Sequence, residues 1–388
     1  MPIPPSLAGS GVRRARPGSA ATAAATTTAA VTAAVCTAVL LLAGCTGAPA
    51  PEDSGRRSME AKNGDTAPYA RRLPVPPGRG SRLPDDFNGD GHRDLVLNDL
   101  VKAPGDAYGD DAGIGIVYGT GAPRGLDPAV RQLLSPRARG ARVAGVLPSA
   151  FEAEAACDLD GDGYGDLIIT TDPPYNGIGM PPVPLQLLFG GPTGLVGRAV
   201  VLKIPAASRA GNEWPDHPVC GDFDGDGKED LAVTASAGRV SFLRGPFSRA
   251  GAPRAASAPR PAGGQVLAAP EPRADANGDG YDDLVATARD RAPGTAGRGT
   301  LLPGGPKGPG APSVPYRFKA ARLPGGGAAG GRGAVTELLR TADFDGDGRA
   351  DPVTRTHRGE RTDLIALYGR RGTAAGPVIT FSTAIFLN

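Results

Sequence analysis

The sequence predicts an all-β protein, a β-propeller of four-stranded blades, and three observations lead to this fold class. An acidic, glycine-containing loop of nine residues occurs five times, beginning at Asp86, Asp158, Asp222, Asp275 and Asp343. A short run of β-forming residues follows each loop, and a second apolar run comes after it. No unit contains a convincing helical pattern. Units of about four short strands bury their faces against neighbouring units, as propeller blades do.

The strand predictions follow the loops in order. The first run after each loop is rich in Leu, Val, Ile and Thr, and the second ends in an aromatic residue and glycine or in a worn version of that pair. Some units close with a third run. The predicted second runs are 115–119, 185–190, 240–245, 300–304 and 364–369, and the third runs are 199–204, 378–381 and 384–387.

The repeated loop has the composition of a calcium site. Carboxylates or carboxamides stand at positions 1, 3, 5 and 9, with glycines at positions 4 and 6. Oxygen ligands at alternate positions are suited to a hard cation of calcium's size, the glycine at position 6 permits a sharp turn, and the position-7 carbonyl adds an oxygen. We therefore expect up to five calcium ions as structural cofactors.

The predicted side-chain ligands are Asp except at two positions, which are Asn. They are Asp86, Asn88, Asp90 and Asp94 in loop 1; Asp158, Asp160, Asp162 and Asp166 in loop 2; Asp222, Asp224, Asp226 and Asp230 in loop 3; Asp275, Asn277, Asp279 and Asp283 in loop 4; and Asp343, Asp345, Asp347 and Asp351 in loop 5. The predicted position-7 carbonyls belong to His92, Tyr164, Lys228, Tyr281 and Arg349.

Two other interpretations of the loop are weaker. An EF-hand requires a Glu at position 12 and flanking helices, but position 12 is Leu97, Ile169, Val233, Ala286 or Thr354 and the flanks are β-like. A single loop could also be a turn without an ion. Four unpaired acids in one loop repel each other, so metal binding is favoured for the set of five.

The first 44 residues have the pattern of an export signal. Arg13, Arg14 and Arg16 precede a long uncharged run, and Leu42-Ala43-Gly44-Cys45 resembles a bacterial lipobox in which Cys45 is lipidated. An uncleaved membrane anchor is the alternative, although the run is mostly Ala and Thr. Residues 45–80, rich in Pro, Gly, Ala and charge, are predicted to be a disordered tether, and residues 81–388 the propeller. We expect a lipid-anchored protein on the outer face of the cytoplasmic membrane.

Charge and cysteine content give two further expectations, about the surface charge and about a disulfide. Residues 45–388 hold 39 basic and 40 acidic residues, and many of the acids are in the loops, so calcium would leave an Arg-rich remainder. Cys157 and Cys220 each lie just before a loop. In an exported protein they could form a disulfide between equivalent strands of neighbouring repeats or remain buried thiols, and the sequence leaves both open.

These features resemble a known repeat family. The D-x-[DN]-G-D-G-x-x-D-L loop and the endings Tyr118-Gly119, Phe189-Gly190 and Tyr368-Gly369 resemble the FG-GAP, or VCBS, repeats of integrin α-subunit propellers and of many secreted bacterial proteins. The resemblance spans roughly residues 81–388 and implies calcium in the hairpin between the first two strands of each blade. Integrin-type propellers have seven blades. Further blades could therefore lie within 251–273 and 303–333, which makes the prediction five to seven.

Two functions are compatible with this pattern. The first is a surface-displayed binding or adhesion module for an extracellular protein or glycan, with no enzymatic activity; Arg137, Arg139, Arg142, Arg370 and Arg371 could favour an anionic polymer or simply be solvated. The second is a hydrolase or lyase built on the propeller, with His217, near Glu213, Trp214 and Asp216, as the best candidate. No catalytic motif is present. Dispersed Arg and few aromatics argue against nucleic acid as a partner, and we expect a monomer.

Overall fold

The computed structural model describes residues 69, 71–106, 113–211, 214–236, 238–324, 333–369 and 376–387. In these residues five antiparallel sheets form the five blades of a propeller, which confirms the predicted fold class. The predicted export signal over 1–44 and the lipidation site Cys45 lie outside the described residues. In the part of the chain that is described, no helix combines the length and the apolar character needed to cross a bilayer.

The strands follow the order of the sequence. Blade 1 contains β1 (Leu95–Leu97), β2 (Ile114–Gly121) and β3 (Gly125–Leu134), and blade 2 contains β4 (Phe151–Cys157), β5 (Asp166–Thr171), β6 (Gln186–Leu188) and β7 (Val200–Val201). Blade 3 contains β8 (Val219–Gly221), β9 (Asp230–Ala235) and β10 (Arg239–Arg244), with β11 (Ala255–Ala256) and β12 (Arg260–Pro261) both pairing with β10.

The last two blades are regular. Blade 4 contains β13 (Val266–Ala268), β14 (Leu284–Thr287), β15 (Gly297–Leu302) and β16 (Pro315–Phe318), and blade 5 contains β17 (Val335–Ala342), β18 (Asp351–Arg358), β19 (Thr362–Leu367) and β20 (Ile379–Phe381). Two four-residue helices, α1 (Pro136–Arg139) and α2 (Ala206–Arg209), lie between blades. A 3₁₀ helix over Thr383–Leu387 ends the described chain, so the prediction of a strand over 384–387 is wrong.

The stretches that could have hidden further blades contribute strands to the five blades instead. Residues 251–273 contain β11, β12 and β13, and 303–333 contains β16. The described residues therefore form no sixth blade. Unlike the other blades, blade 1 has only three strands in its sheet. Where the other blades have an innermost strand, blade 1 has a backbone hydrogen bond from the Asp94 N–H to the Asp85 carbonyl (2.8 Å). The equivalent bond in blade 4 runs from the Asp283 N–H to the Ala274 carbonyl (3.0 Å).

Apolar clusters between neighbouring blades form the core. One cluster joins blades 1 and 2 around Phe87 and Phe151, a second joins blades 2 and 3 around Leu159 and Leu231, and a third joins blades 3 and 4 around Phe223. Such burial contributes about 25 cal/mol per Å² of apolar surface. Because each blade presents apolar side chains on both faces, every residue of a second strand such as β9 is buried.

Blade 5 closes the ring against blade 1. A cluster containing Phe344, Phe381 and Phe386 packs against Leu95 and Leu126. Polar contacts reinforce this seam: the Val101 N–H donates to the Thr383 hydroxyl (2.9 Å), Arg131 Nε donates to the Ile385 carbonyl (2.9 Å), and Arg340 pairs with the fully buried Asp85 (2.8 Å). The short C-terminal 3₁₀ helix therefore acts as part of the closure.

Residues 71–80, which the sequence analysis placed in the tether, contact the propeller. The Leu73 N–H donates to the Ala129 carbonyl (2.8 Å), the Gly78 N–H to Asn88 (3.0 Å), and the Ser81 N–H to Gly163 (2.7 Å). A Cβ on Gly78 would lie 2.0 Å from the Gly89 carbonyl carbon, so only glycine fits this close approach. These ten residues belong to the folded body.

Candidate metal centres

In all five repeats, the acidic loop connects the innermost strand position of its blade to the next strand. Because antiparallel strands alternate in direction, all five loops emerge at the same end of their blades. The last residue of each loop begins or directly precedes a strand, and among the described residues no helix flanks a loop. The loop is thus a β-hairpin connection, as the sequence predicted, and not an EF-hand.

The position-1 aspartate organises each loop before any ion binds. In loop 1, Asp86 Oδ1 accepts the N–H of Gly89 (2.7 Å) and of Asp90 (3.2 Å), and Oδ2 accepts the N–H of Gly91 (2.7 Å). The same three bonds recur in loops 2, 4 and 5, and two of them in loop 3. The glycines at positions 4 and 6 all have positive φ, from 69° to 91°, which explains why no other residue stands there.

The position-9 aspartate anchors the loop to the glycine that ends the second apolar run of its blade. Asp94 Oδ1 accepts the Gly119 N–H (2.8 Å), and Oδ2 accepts the Phe87 N–H (2.8 Å). Blades 2, 3 and 4 repeat the bond to Oδ1 from the equivalent glycines Gly190, Gly245 and Gly304. A Cβ on any of these four glycines would lie 2.0–2.4 Å from the carbonyl oxygen at position 8 of the loop, which explains the glycine that ends the second apolar run.

The carboxylates converge in three of the five loops. In loop 2 these are Asp158, Asp160 and Asp166, in loop 3 Asp222, Asp224 and Asp230, and in loop 5 Asp343, Asp345 and Asp347; each trio places one oxygen per residue within 4.8 Å of the others. Oxygen atoms at this separation can contact one ion of calcium's size. Among the described residues, loops 1 and 4 form no such trio of acids.

Loops 1 and 4 differ because position 3 is Asn. Asn88 Nδ2 donates to Asp90 Oδ2 (2.9 Å), and Asn277 Nδ2 donates to Asp279 Oδ2 (2.8 Å). The amide thus offsets part of the negative charge within its own loop. Its oxygen remains available to a cation, and Asn88 Oδ1 is buried without a hydrogen-bond partner.

Unpartnered buried oxygens show that the loops fit a cation. Besides Asn88 Oδ1, the buried atoms Asp160 Oδ1, Asp224 Oδ1 and Asp230 Oδ2 lack hydrogen-bond partners. A buried carboxylate oxygen without a partner costs about 1–3 kcal/mol or more. A divalent ion held by these oxygens and by the position-7 carbonyl would satisfy them, so the residues present fit the calcium that the sequence predicts.

The pKa values reflect the same excess of negative charge. Burial, and then the charges of Asp160 and Asp158, raise the pKa of Asp166 to about 8 despite backbone N–H donors. Burial and the neighbouring loop acids raise the pKa of Asp230 to about 7. By contrast, the pKa of Asp275 in loop 4 lies below its ordinary value because backbone N–H groups, first that of Gly280, donate to it. The pKa values of the position-9 acids of loops 2 and 3 are therefore set mainly by burial and by neighbouring negative charge.

Arginines that the sequence analysis did not single out contact these two loops. Arg249 Nε pairs with Asp160, and its Nη2 pairs with Asp162. In loop 3, Arg244 pairs with Asp224 (2.9 Å) and Arg254 with Asp226 (2.5 Å). Nothing in the sequence identifies these partners, because Arg249 lies 87 residues from Asp162.

Neighbouring loops also touch one another. The ring of Tyr164, at position 7 of loop 2, lies 2.5 Å from where a Cβ on Gly89 of loop 1 would stand, and Tyr281 of loop 4 lies 2.6 Å from the same point on Gly225 of loop 3. The Gly165 N–H donates to the Asp86 carbonyl (2.8 Å) and the Asp282 N–H to the Asp222 carbonyl (3.1 Å). Only glycine leaves room for these rings. In loops 1 and 3, the glycine at position 4 is therefore required both by the turn of its own loop and by the tyrosine of the neighbouring loop.

Cys157 and Cys220 form a disulfide, which resolves the alternative that the sequence left open. The Cα atoms are 6.3 Å apart, and the bond joins the end of β4 to the middle of β8. It connects the innermost strands of blades 2 and 3 directly beside the first residues of their loops.

His217 lies two residues before β8, in a cleft of about 200 Å³ that Glu154, Asp290 and Arg291 also line. His217 Nδ1 is 3.5 Å from Asp290 Oδ1. Glu154 faces the cleft and remains exposed to solvent, yet its enclosing walls, and then the charges of Asp216, Glu152 and Asp290, raise its pKa to about 7. The sequence paired His217 with its chain neighbours, but Glu154 and Asp290 come from other blades.

The remaining predicted residues have other surroundings. The Trp214 ring packs edge-on against Tyr175 at 6.1 Å between centroids. Arg139 donates to the carbonyls of Val196 and Gly197, and Arg142 to that of Gly145 (2.9 Å), so these two cations stabilise loops. Glu213, Arg370 and Arg371 lie outside the described residues.

Comparisons with known proteins agree with this architecture. Residues 219–243, which comprise β8, loop 3, β9 and most of β10, match the family model described as FG-GAP repeat. A search of curated proteins found no significant match to the chain.

Proposed function

We propose that this FG-GAP-repeat β-propeller is an exported, calcium-stabilised binding module, held at the outer face of the cytoplasmic membrane by a lipid on Cys45. The observation that carries the proposal is the convergence of three carboxylates in each of loops 2, 3 and 5, with unpartnered buried oxygens in loops 2 and 3. Arginines pair with one oxygen of Asp160 and of Asp224 and leave the other oxygen buried without a partner, so a divalent ion would stabilise these loops in the extracellular space, where calcium is available.

Calcium in these loops supplies positive charge that stabilises the fold, and the chain supplies the cage. Position-1 aspartates fold each turn through backbone N–H bonds, and position-9 aspartates attach it to the glycine that ends the second apolar run. Because the unfolded chain has no assembled cage, calcium stabilises the folded state by mass action, with about 2.7 kcal/mol per site when calcium is at 100 times its Kd.

The ligand-binding surface proposed for this module is the face opposite the loops. There the 172–185 and 202–218 connections bring together Tyr175 and Trp214, and Ile178 and Met180 are 79% and 52% exposed. Long loops on a rigid scaffold are common sites of recognition. Exposed aromatic and apolar side chains favour an extracellular protein or a glycan as the partner.

A calcium titration of the full-length protein in detergent tests the scaffold. We expect up to five ions and a melting temperature that rises with calcium concentration and falls with chelator. A melting temperature that chelator leaves unchanged would contradict the role of calcium. The binding role would be contradicted if calcium-loaded protein were retained on no cell-envelope glycan, anionic polymer or envelope protein. Equal retention of the Tyr175→Ala variant and the unmodified protein would contradict the proposed binding surface.

The cleft around His217 favours a second function, hydrolysis or elimination on an extracellular substrate. A histidine 3.5 Å from a carboxylate and a glutamate with a pKa of about 7 could share acid and base roles near neutral pH. The test is His217→Ala: loss of a measured activity with unchanged calcium binding would support this function. Equal turnover by the variant would exclude His217 as an acid or base.

A further inference from the structure

Arg249 lies on a turn of blade 3 that is fixed against blade 2. The turn follows β10, and Phe247 at its start is 3% exposed within the cluster that joins the two blades. The Phe247 N–H donates to the Leu159 carbonyl inside loop 2 (2.7 Å), and the Gly251 carbonyl accepts the Lys203 N–H (2.8 Å). With both ends of the turn bonded to blade 2, the backbone that carries Arg249 has a defined position over loop 2.

The guanidinium spans two predicted calcium ligands of loop 2. Its Nε pairs with Asp160 Oδ2 and its Nη2 with Asp162 Oδ2, while Cζ lies 4.8 Å from the centre of the Phe189 ring. A planar guanidinium that forks between two carboxylates and stacks on an aromatic ring is held in one orientation, which a lysine could not reproduce. Positions 3 and 5 of loop 2 are therefore fixed relative to each other from outside the loop.

The contacts leave the inner oxygen of Asp160 available. Asp160 Oδ2 faces Arg249, whereas Oδ1 is buried without a hydrogen-bond partner, and Asp160 contributes to the trio with Asp158 and Asp166. A guanidinium that displaced the ion would pair with the oxygens at the centre of the trio. Arg249 instead pairs with Asp160 Oδ2 and leaves Asp160 Oδ1 without a partner. It therefore orients the carboxylate and does not replace the ion.

We infer that Arg249 is a positioning residue for calcium in loop 2, acting from blade 3 through Asp160 and Asp162. The inference rests on the proposed calcium role and goes beyond it by making the loop 2 site dependent on a residue of the next blade. Groups that hold metal ligands from behind typically contribute 10–100-fold to metal affinity. Calcium at loop 2 and the docking of the blade 3 turn therefore stabilise each other.

The test is calorimetric titration of calcium into the full-length protein in detergent, with Arg249→Gln. We expect one site to weaken by about 10–100-fold and the others to keep their affinity. Arg239→Gln is the matched control, because Arg239 is an arginine of the same blade whose guanidinium donates to the Pro259 carbonyl (3.3 Å), in the connection between β11 and β12 and not in an acidic loop. Arg249→Lys keeps the charge without the fork and should weaken the same site to a smaller degree; it decides the question if Arg249→Gln does not fold.

A second variant, Asp158→Ala, identifies which site Arg249→Gln affects. Asp158→Ala removes loop 2 binding, so in that background Arg249→Gln should change no remaining affinity. An effect that persists there would overturn the assignment to loop 2. Unchanged or tighter binding in Arg249→Gln, with normal binding by the unmodified protein, would overturn the inference alone, since tighter binding would make Arg249 a competitor. No calcium binding by the unmodified protein would overturn the proposed function and the inference together.

Discussion

The junction between blades 2 and 3 and the junction between blades 4 and 5 come from the same repeat but are held by different contacts. Blades 2 and 3 share a large apolar cluster, the Cys157–Cys220 disulfide and the Arg249 ion pairs. Between blades 4 and 5 the described residues show Leu338 of β17 packed close to Gly294 of blade 4. No apolar cluster of the described residues spans that second junction.

The loops show the same contrast. At loop 3 the Tyr281 ring covers Gly225, whereas nothing lies within 4 Å of the equivalent point on Gly278 of loop 4. The pKa of the fully buried Asp166 is raised, and the pKa of the more exposed Asp275 is lowered. Close packing of the blades strengthens the ring and also removes water from the loop acids, so we expect a bound cation to contribute most where the packing is tightest.

The largest expected effect is loss of the disulfide. Cys157→Ala/Cys220→Ala should lower the free energy of unfolding by about 4 kcal/mol, because the bond closes a loop across a sequence separation of 63 residues. Urea unfolding of the calcium-loaded protein measures it, and chemical reduction of the unmodified protein should give the same loss. A change below about 1 kcal/mol would mean that the apolar cluster alone holds blades 2 and 3.

Core truncations should separate a packed junction from the loose one. Phe223→Ala, at a fully buried position between blades 3 and 4, should cost about 4 kcal/mol, and Leu338→Ala, at the junction of blades 4 and 5, about 2 kcal/mol. Truncating Phe223 removes apolar contacts with both blade 3 and blade 4. Within the described residues, Leu338 belongs to no apolar cluster shared by two blades, so its truncation removes fewer contacts. Equal costs by urea unfolding would show that blades 4 and 5 are joined as firmly as their neighbours.

Without metal, stability should fall as pH rises. The folded-state pKa of Asp166 is about 8 and that of Asp230 about 7, above the values near 4 of the unfolded chain, so the folded state holds protons that the unfolded state has released. In chelator, the free energy of unfolding should decrease by about 2 kcal/mol between pH 6 and pH 7.

The control for this pH effect is Asp166→Asn, which should flatten the slope, and saturating calcium should abolish it by favouring the ionised carboxylates. Asp275→Asn, in loop 4, should leave the slope nearly unchanged because the pKa of Asp275 is lowered. Thermal unfolding across pH in chelator provides the measurement. A slope of the opposite sign would contradict the raised pKa values.

The smallest expected effect tests the contact between loops. Gly225→Ala and Gly278→Ala both place a side chain at positive φ, 72° and 79°, which costs about 1 kcal/mol. Gly225→Ala also meets the Tyr281 ring and should cost about 1 kcal/mol more, whereas Gly278→Ala meets nothing within 4 Å. Similar costs for the two variants would show that the ring moves aside freely.

Much of the fold was predictable because the chemistry repeats locally. The strand after each loop, the second run with its glycine and the hairpin placement of the loop follow from alternation and from turns that require glycine at positions 4 and 6. The number of blades was not predictable from the sequence. The composition of 251–273 and 303–333 is compatible both with extra blades and with single strands that complete existing blades, as observed. The C-terminal run 384–387 has the composition of a strand, but its contacts with blade 1 make it a 3₁₀ helix.

By itself, the sequence determined that five acidic hairpins punctuate a β-repeat chain, because ligand spacing and turn geometry are properties of nine consecutive residues. Only the tertiary structure decided that Cys157 meets Cys220, that Arg249 reaches Asp160, and that Glu154 and Asp290 surround His217. Cys157 and Cys220 are 63 residues apart, and His217 is 63 residues from Glu154 and 73 from Asp290. Such contacts depend on how one blade is placed against the next, and no local pattern specifies that placement.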